Sequence, residues 1–182
     1  VVNGENALIS NEIFSNPLVK LVALTGSTET GKEFIKASAY TVKRLMLELG
    51  GHSPFIVFAD ADLDRAVKDG VKRAFRNTGQ ICNSVNRIFV EKSVYDQFVK
   101  NFVEGTKKIR IGDPFEEPAP DCGPMVNQAG VKRMEEFIQD ALSHGARIEC
   151  GGKRLEGLKF NQGCYFEPTV VTNVTPTMKI MM

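Results

Sequence analysis

Leu21-Val22-Ala23-Leu24-Thr25-Gly26-Ser27-Thr28-Glu29-Thr30-Gly31 is the stretch on which the fold turns. Its four leading apolar residues predict a buried strand. Gly26 and the small hydroxyl residues after it predict the turn into a helix, which runs from Thr28 to Tyr40 and carries Phe34 and Ile35 toward a core. Leu45-Met46-Leu47-Glu48-Leu49 follows as the next strand. Strand, helix, strand is the repeating element of a parallel sheet with covered faces, so the fold class is α/β. Gly50-Gly51 then breaks the pattern and marks a domain crossing.

Beyond that crossing the alternation resumes. Phe55 to Phe58 reads as a strand, and Asp60-Ala61-Asp62 offers capping carboxylates to a helix from Leu63 to about Asn77, which Gly79 ends. Arg87 to Val90 is another strand. Val94 to Lys108 is an amphipathic helix with Tyr95, Phe98, Val99, Phe102 and Val103 on one face. Gly112 through Pro124, rich in proline, glycine and acids, reads as a long exposed connection. Val131 to Leu142 returns to helical spacing, Arg147 to Cys150 is a short strand closed by Gly151-Gly152, and Tyr165 to Val171 is strand-like. Both ends of the chain are abrupt, which predicts further sequence on each side.

Composition narrows the function classes. The 182 residues are 42% hydrophobic and 25% charged, as in an ordinary globular protein. The net charge of +1 is spread evenly over the chain, which favours neither nucleic acid nor an anionic membrane as partner and leaves a small molecule or another protein. No apolar run approaches the roughly 20 residues of a membrane span, and Val1 opens no signal segment, so the expected location is cytoplasmic. Cys82, Cys122, Cys150 and Cys164 are far apart, without a CxxC or a nearby histidine pair, so no metal site is expected. Reduced thiols, not a disulfide framework, suit such a chain.

Three short motifs could carry chemistry. Gly26-Ser27-Thr28-Glu29-Thr30-Gly31 joins a strand to a helix, where free backbone N–H groups and the helix dipole favour a phosphate; a plain strand-to-helix turn reads the same residues as well. Glu48 is a carboxylate inside an apolar strand beside Gly50-Gly51. Burial would raise its pKa and make it a general base, whereas a Lys or Arg partner would make it structural. Cys82 follows Gly79 and precedes the small polar pair Asn83-Ser84. Taken alone it reads first as a small buried hydrophobe, although N–H groups of a turn at 82–85 would stabilise a thiolate and then an oxyanion. A thiol hydrolase would need His52 or His144 as its base, and no local signature of that chemistry is present.

Thr25-Gly26-Ser27-Thr28, Leu47-Glu48-Leu49-Gly50-Gly51 and Gly79-Gln80-Ile81-Cys82, in this order and spacing, resemble the aldehyde dehydrogenase superfamily. The likeness continues through Ile111-Gly112-Asp113-Pro114, Cys122-Gly123-Pro124, Gly151-Gly152-Lys153 and Phe166-Glu167-Pro168-Thr169, and so covers essentially the whole chain. It implies a partial aldehyde dehydrogenase fold: residues 1–50 as the end of a Rossmann-like NAD(P)-binding domain, and residues 51–182 as most of an α/β catalytic domain that carries the nucleophile. The implied roles are Cys82 as nucleophile on a small aldehyde, Glu48 as base on the water that hydrolyses the thioester, and NAD or NADP as hydride acceptor. Thr25, Gly26 and Ser27 would belong to the cofactor site, Gly31 would let the helix pack closely, and Leu49 and Gly50 would lie by the nicotinamide.

Within the superfamily, Gly51 to Phe58 and Phe75 to Gln80 look most like succinate-semialdehyde dehydrogenases. In that group the arginine matching Arg76 helps hold the substrate carboxylate, for which a guanidinium is well suited; an arginine that merely ends a helix is the alternative. Ser84 stands where several such enzymes carry a second, redox-regulatory cysteine, so no disulfide switch is expected there. The resemblance also places an oxyanion-hole asparagine, a ribose-binding lysine, a Glu-Phe-Gly-Pro region and the oligomer-forming segments outside this chain. Little or no activity is expected of residues 1–182 alone, and a homo-oligomer, dimer or tetramer, of the whole protein. A coenzyme A-acylating relative and a non-catalytic truncated scaffold are the alternative readings.

Overall fold

β1 (Leu21–Gly26) and β2 (Arg44–Leu49) pair in parallel, joined by α2 (Thr28–Ser38), as the alternating pattern of the sequence predicts. The computed structural model describes residues 1–182 and divides into two units, Val1–Gly51 and His52–Met182. In the first unit the register sets Val22 beside Leu45, Leu24 beside Leu47 and Gly26 beside Leu49. One face of the sheet is therefore apolar, and α2 packs on it. A Cβ on Gly31 would stand 3.0 Å from a methyl of Leu49, so the close approach of α2 to β2 depends on that glycine.

Two features of this unit differ from expectation. β1 is not a buried strand: Val22 is buried, but Leu21 is 52% exposed, and Met46 in β2 is 57% exposed. A two-stranded sheet with a helix on one side leaves every second residue on the open side. The same geometry leaves Ile35 exposed on α2, while Phe34 packs edge-on against Phe14 with ring centroids 5.0 Å apart. Phe14 belongs to α1 (Asn6–Ser15), a helix the sequence does not announce, because its apolar residues do not share one stripe and Glu5 makes no side-chain cap. The buried Lys43 anchors the end of this helix by donating from Nζ to the carbonyls of Asn16 and Val19 at 2.8 and 2.7 Å.

The second unit repeats the arrangement. β3 (Ser53–Val57) and β4 (Val85–Val90) are parallel, with α3 (Leu63–Phe75) between them in sequence and α4 (Tyr95–Lys107) after them. Asp62 caps α3 as expected, its carboxylate accepting from the Arg65 N–H at 3.0 Å. Val57, Phe98 and Phe102 form a core with Phe55, Val67, Val71, Phe75 and Ile88 packed around it. The opposite face of the sheet, with Ile56 beside Phe89, is exposed. α5 (Gln128–Ser143) covers a second core of Met125, Val131 and Phe166 and contributes Ala141 to a third, with Ala146 and Met178. β5 (Arg147–Cys150) and β6 (Val170–Thr172) close the unit as an antiparallel pair. No helix is long and apolar enough to cross a membrane.

Three boundaries move. α3 stops at Phe75, because Arg76 is extended and both Asn77 and Thr78 take left-handed backbone angles, so Gly79 is the third residue of a turn and not the stop of the helix. The connection from Gly112 to Pro124 is mostly exposed, but Cys122 is buried and bridges to Ile111. Of the strand expected at Tyr165 to Val171, only Val170 and Val171 join β6; the buried Phe166 makes an isolated antiparallel bridge with Arg154, and Tyr165 is buried beside it.

Candidate functional site

The candidate residues fall on two turns, one in each unit. In the first unit, parallel register sets Thr25 beside Glu48 and Gly26 beside Leu49 at the carboxyl ends of both strands, the edge where open α/β sheets receive ligands. Ser27 caps α2 by accepting from the Thr30 N–H at 3.1 Å, and the Gly31 N–H goes to the Ser27 carbonyl. The N–H groups of Thr28 and Glu29 at the start of the helix keep no partner and face an exposed turn. These donors suit a pyrophosphate, although the Glu29 carboxylate shares the same turn.

Glu48 does not sit as the sequence suggested. It lies on the exposed face with Arg44 and Met46, neither buried among the leucines nor paired with a Lys or Arg. The alternation of Arg44, Met46 and Glu48 with Leu45, Leu47 and Leu49 was the signal for this face. Leu49 is half-buried against Gly31, and Gly50 is exposed, with open space where a Cβ would stand.

In the second unit Cys82 is exposed at the tip of a turn closed by the Ser84 N–H on the Ile81 carbonyl at 3.0 Å. Three left-handed residues precede it: Asn77 (φ 52°), Thr78 (φ 58°) and Gly79 (φ 73°). A β-branched residue in that region is strained, and the surroundings hold it there. Asn77 and Gln80 clasp the turn reciprocally: Asn77 Nδ2 donates to the Gln80 carbonyl at 3.2 Å, and Gln80 Nε2 donates to the Asn77 carbonyl at 3.3 Å. Gln80 Oε1 accepts from the Val126 N–H at 2.9 Å, Thr78 Oγ1 donates to the Gly123 carbonyl at 3.4 Å, and Cys122 Sγ donates to the Phe75 carbonyl at 3.1 Å. The buried Ser84 hydroxyl reaches the Arg73 carbonyl, at 3.3 Å, at the end of α3.

Sequence reasoning gave no role to Asn77, Thr78 or Gln80, whose partners lie across the turn or some 45 residues downstream. Arg76 is exposed at the C-terminal end of α3, where the helix dipole favours a cation, and makes no ion pair. His144 is occupied at the end of α5, its Nδ1 lying 2.8 Å from the Asp140 carbonyl oxygen.

The thiols divide by environment. Burial pushes the Cys122 and Cys150 thiols above the ordinary range, whereas Cys82 alone of the four is exposed. All four are free, and no three His, Cys, Asp or Glu side chains gather as metal ligands would.

Known proteins share this chain's sequence and its fold. It is 42% identical over 180 residues to the succinate-semialdehyde dehydrogenase [NADP(+)] GabD of Escherichia coli, an alignment covering 99% of this chain and 36% of that protein. The crystal structure of succinate-semialdehyde dehydrogenase from Burkholderia pseudomallei superposes with a TM-score of 0.92 at 45% identity, covering 99% of this chain and 36% of that one. Betaine aldehyde dehydrogenase from Staphylococcus aureus, in complex with NAD+, gives 0.93 at 34% identity over 100% of this chain and 36% of that one. The chain thus spans about a third of the length of the relatives it matches. Its residues 1–182 match the Aldehyde dehydrogenase family, and with the fold in agreement the chain belongs to that family.

Proposed function

We propose that the whole protein oxidises a small aldehyde, a semialdehyde such as succinate semialdehyde, to its carboxylic acid, with Cys82 as nucleophile. The observation that carries this reading is the placement of Cys82: in a chain of this family it is the one exposed thiol, at the tip of a turn whose backbone is fixed from several sides. The Cys82 sulfur adds to the aldehyde carbon, and the thiol proton passes to the carbonyl oxygen. NAD or NADP, when bound, would supply the acceptor for the hydride on this carbon; with the hydroxyl proton lost to water, a thioester remains on Cys82. Glu48 takes a proton from the water that attacks the thioester, and the acid departs as the thiol is restored. Thr25, Gly26 and Ser27, with the free N–H groups of Thr28 and Glu29, would hold the cofactor pyrophosphate; Leu49 and Gly50 would lie by the nicotinamide, and Arg76 would take the substrate carboxylate.

Residues 1–50 are read as the end of the NAD(P)-binding domain and 51–182 as part of the catalytic domain, a reading supported by the division into units at Gly51 and His52. Four free thiols suit a cytoplasmic enzyme. A homo-oligomer, dimer or tetramer, is the assembly the family resemblance implies for the whole protein.

Reduced nicotinamide, followed by absorbance with aldehyde and either cofactor, tests the reading in the whole protein. Cys82→Ala should abolish it, and Glu48→Gln should lower turnover by about a hundredfold or more while acyl-enzyme accumulates in the intact mass. A Cys82→Ala protein that behaves like its parent would sink the proposal. Unimpaired turnover of Glu48→Gln with coenzyme A would move it to an acylating enzyme. Residues 1–182 alone should give no turnover.

A further inference from the structure

We propose that Gln80 is the positioning residue of the Cys82 turn, tying its strained left-handed backbone to the 122–126 segment. The catalytic part of this inference rests on the aldehyde-dehydrogenase reading; the structural part does not.

One side chain spans the whole arrangement. Gln80 Nε2 donates to the Asn77 carbonyl at the start of the turn, and Gln80 Oε1 accepts from the Val126 N–H, 46 residues away in sequence. Those partners fix the amide's orientation, since a flipped amide would set its NH2 against the Val126 N–H and its oxygen against the Asn77 carbonyl. The Val126 N–H has no other acceptor. The segment on the far side of this bond is itself anchored: the Met125 N–H donates to the Cys164 carbonyl at 2.9 Å, and the Met125 side chain is buried with Val131 and Phe166. Gln80 thus couples the turn that leaves one core, through Phe75, to a segment fixed in another.

This coupling has work to do. Asn77 and Thr78 hold left-handed angles, which the β-branched Thr78 adopts least readily, and such angles persist only where neighbouring contacts over-determine them. Cys82 is two residues beyond Gln80 and makes no bond through its own side chain. Its sulfur is therefore aimed by the backbone that Gln80 ties down. Of the two ties that side chains of the turn make to this segment, Thr78 Oγ1 on the Gly123 carbonyl is the longer, 3.4 Å against 2.9 Å.

The test pairs hydrogen exchange with kinetics in the whole protein. Gln80→Met keeps the length of the side chain and removes both bonds; Gln80→Glu keeps an acceptor for Val126. In Gln80→Met the amides of Val126 and Ser84 should exchange at least about tenfold faster while those of α4 and α5 keep their protection. Its kcat should fall about tenfold or more with KM for the cofactor held within about twofold. Gln80→Glu should restore protection at Val126 but only part of kcat, because its second oxygen meets the Asn77 carbonyl in place of a donor. Parental exchange at Val126 in Gln80→Met would overturn the proposal, as would faster exchange with an unchanged kcat or a uniform rise across the unit. If Gln80→Met fails to fold, Gln80→Glu decides, since loss of its Val126 protection counts against the assignment. A parent protein that reduces no nicotinamide would defeat the functional reading alone, and exchange at Val126 and Ser84 would then judge the tie by itself.

Discussion

The turn after β1 and the turn after α3 are built by opposite means. Gly26 to Thr30 is held from within four residues: Ser27 accepts from the Thr30 N–H, and its carbonyl accepts from the Gly31 N–H. The backbone there is ordinary, and the turn is open to solvent. Asn77 to Ser84 has three left-handed residues in succession and is held from outside by Val126, Gly123 and Cys122, which lie 45 to 47 residues away in sequence. The first turn offers free donors to a ligand that brings its own charge. The second must fix one atom of its own, the Cys82 sulfur, and nearby residues alone do not supply the constraints for that.

Substitutions at Gly79 and Ser27 turn this comparison into numbers. Gly79 has φ 73°, and a Cβ there would stand 3.3 Å from the Ala74 carbonyl oxygen. Gly79→Ala should lower the denaturation midpoint of the second unit by an amount worth about 2 kcal/mol, the cost of a left-handed alanine with an added close contact. Its loss should also change the rate at which Cys82 is alkylated. Ser27→Ala removes only a cap and should cost about 1 kcal/mol, in the first unit alone, with Cys82 alkylation unaffected. A larger cost for Ser27→Ala than for Gly79→Ala in urea unfolding would reverse the comparison.

The same contrast explains what could be read in advance. The strand-helix-strand order, the Asp62 cap and the helical spacing of α4 and α5 are written in residues close together, and the structure follows them. Period-2 alternation also places Glu48 opposite the leucines, on the exposed face of β2, where its charge stays in solvent. α1 carries no such period, and its end is fixed by Lys43, 24 and 27 residues away from the carbonyls it reaches. Gln80 and Thr78 stood in plain view within a motif. Their roles depend on which distant backbone groups arrive beside them, and neither periodicity nor composition carries that information.

The smallest effect concerns Cys122, the outermost of the supports around the second turn. Its thiol donates to the Phe75 carbonyl, and burial pushes its pKa above the ordinary 9.0, with the nearby Asp121 carboxylate adding to the rise and a backbone hydrogen bond at Thr78 opposing it. Between pH 9.0 and that raised value the unfolded chain has released a proton that the folded chain still holds. The unfolded state then binds fewer protons, so stability falls as pH rises through this window and is fully present below it. Cys150 shifts in the same direction, also through burial, so both thiols contribute. Urea midpoints should therefore decline as pH rises from about 9.0, a range in which tyrosines and lysines also begin to ionise, so the comparison with Cys122→Ala isolates the share of this thiol. Cys122→Ala should remove only its own share and leave the part due to Cys150. A variant that kept the whole slope would show that the 122–126 segment supports the Cys82 turn through Gln80 and Thr78 without help from this thiol.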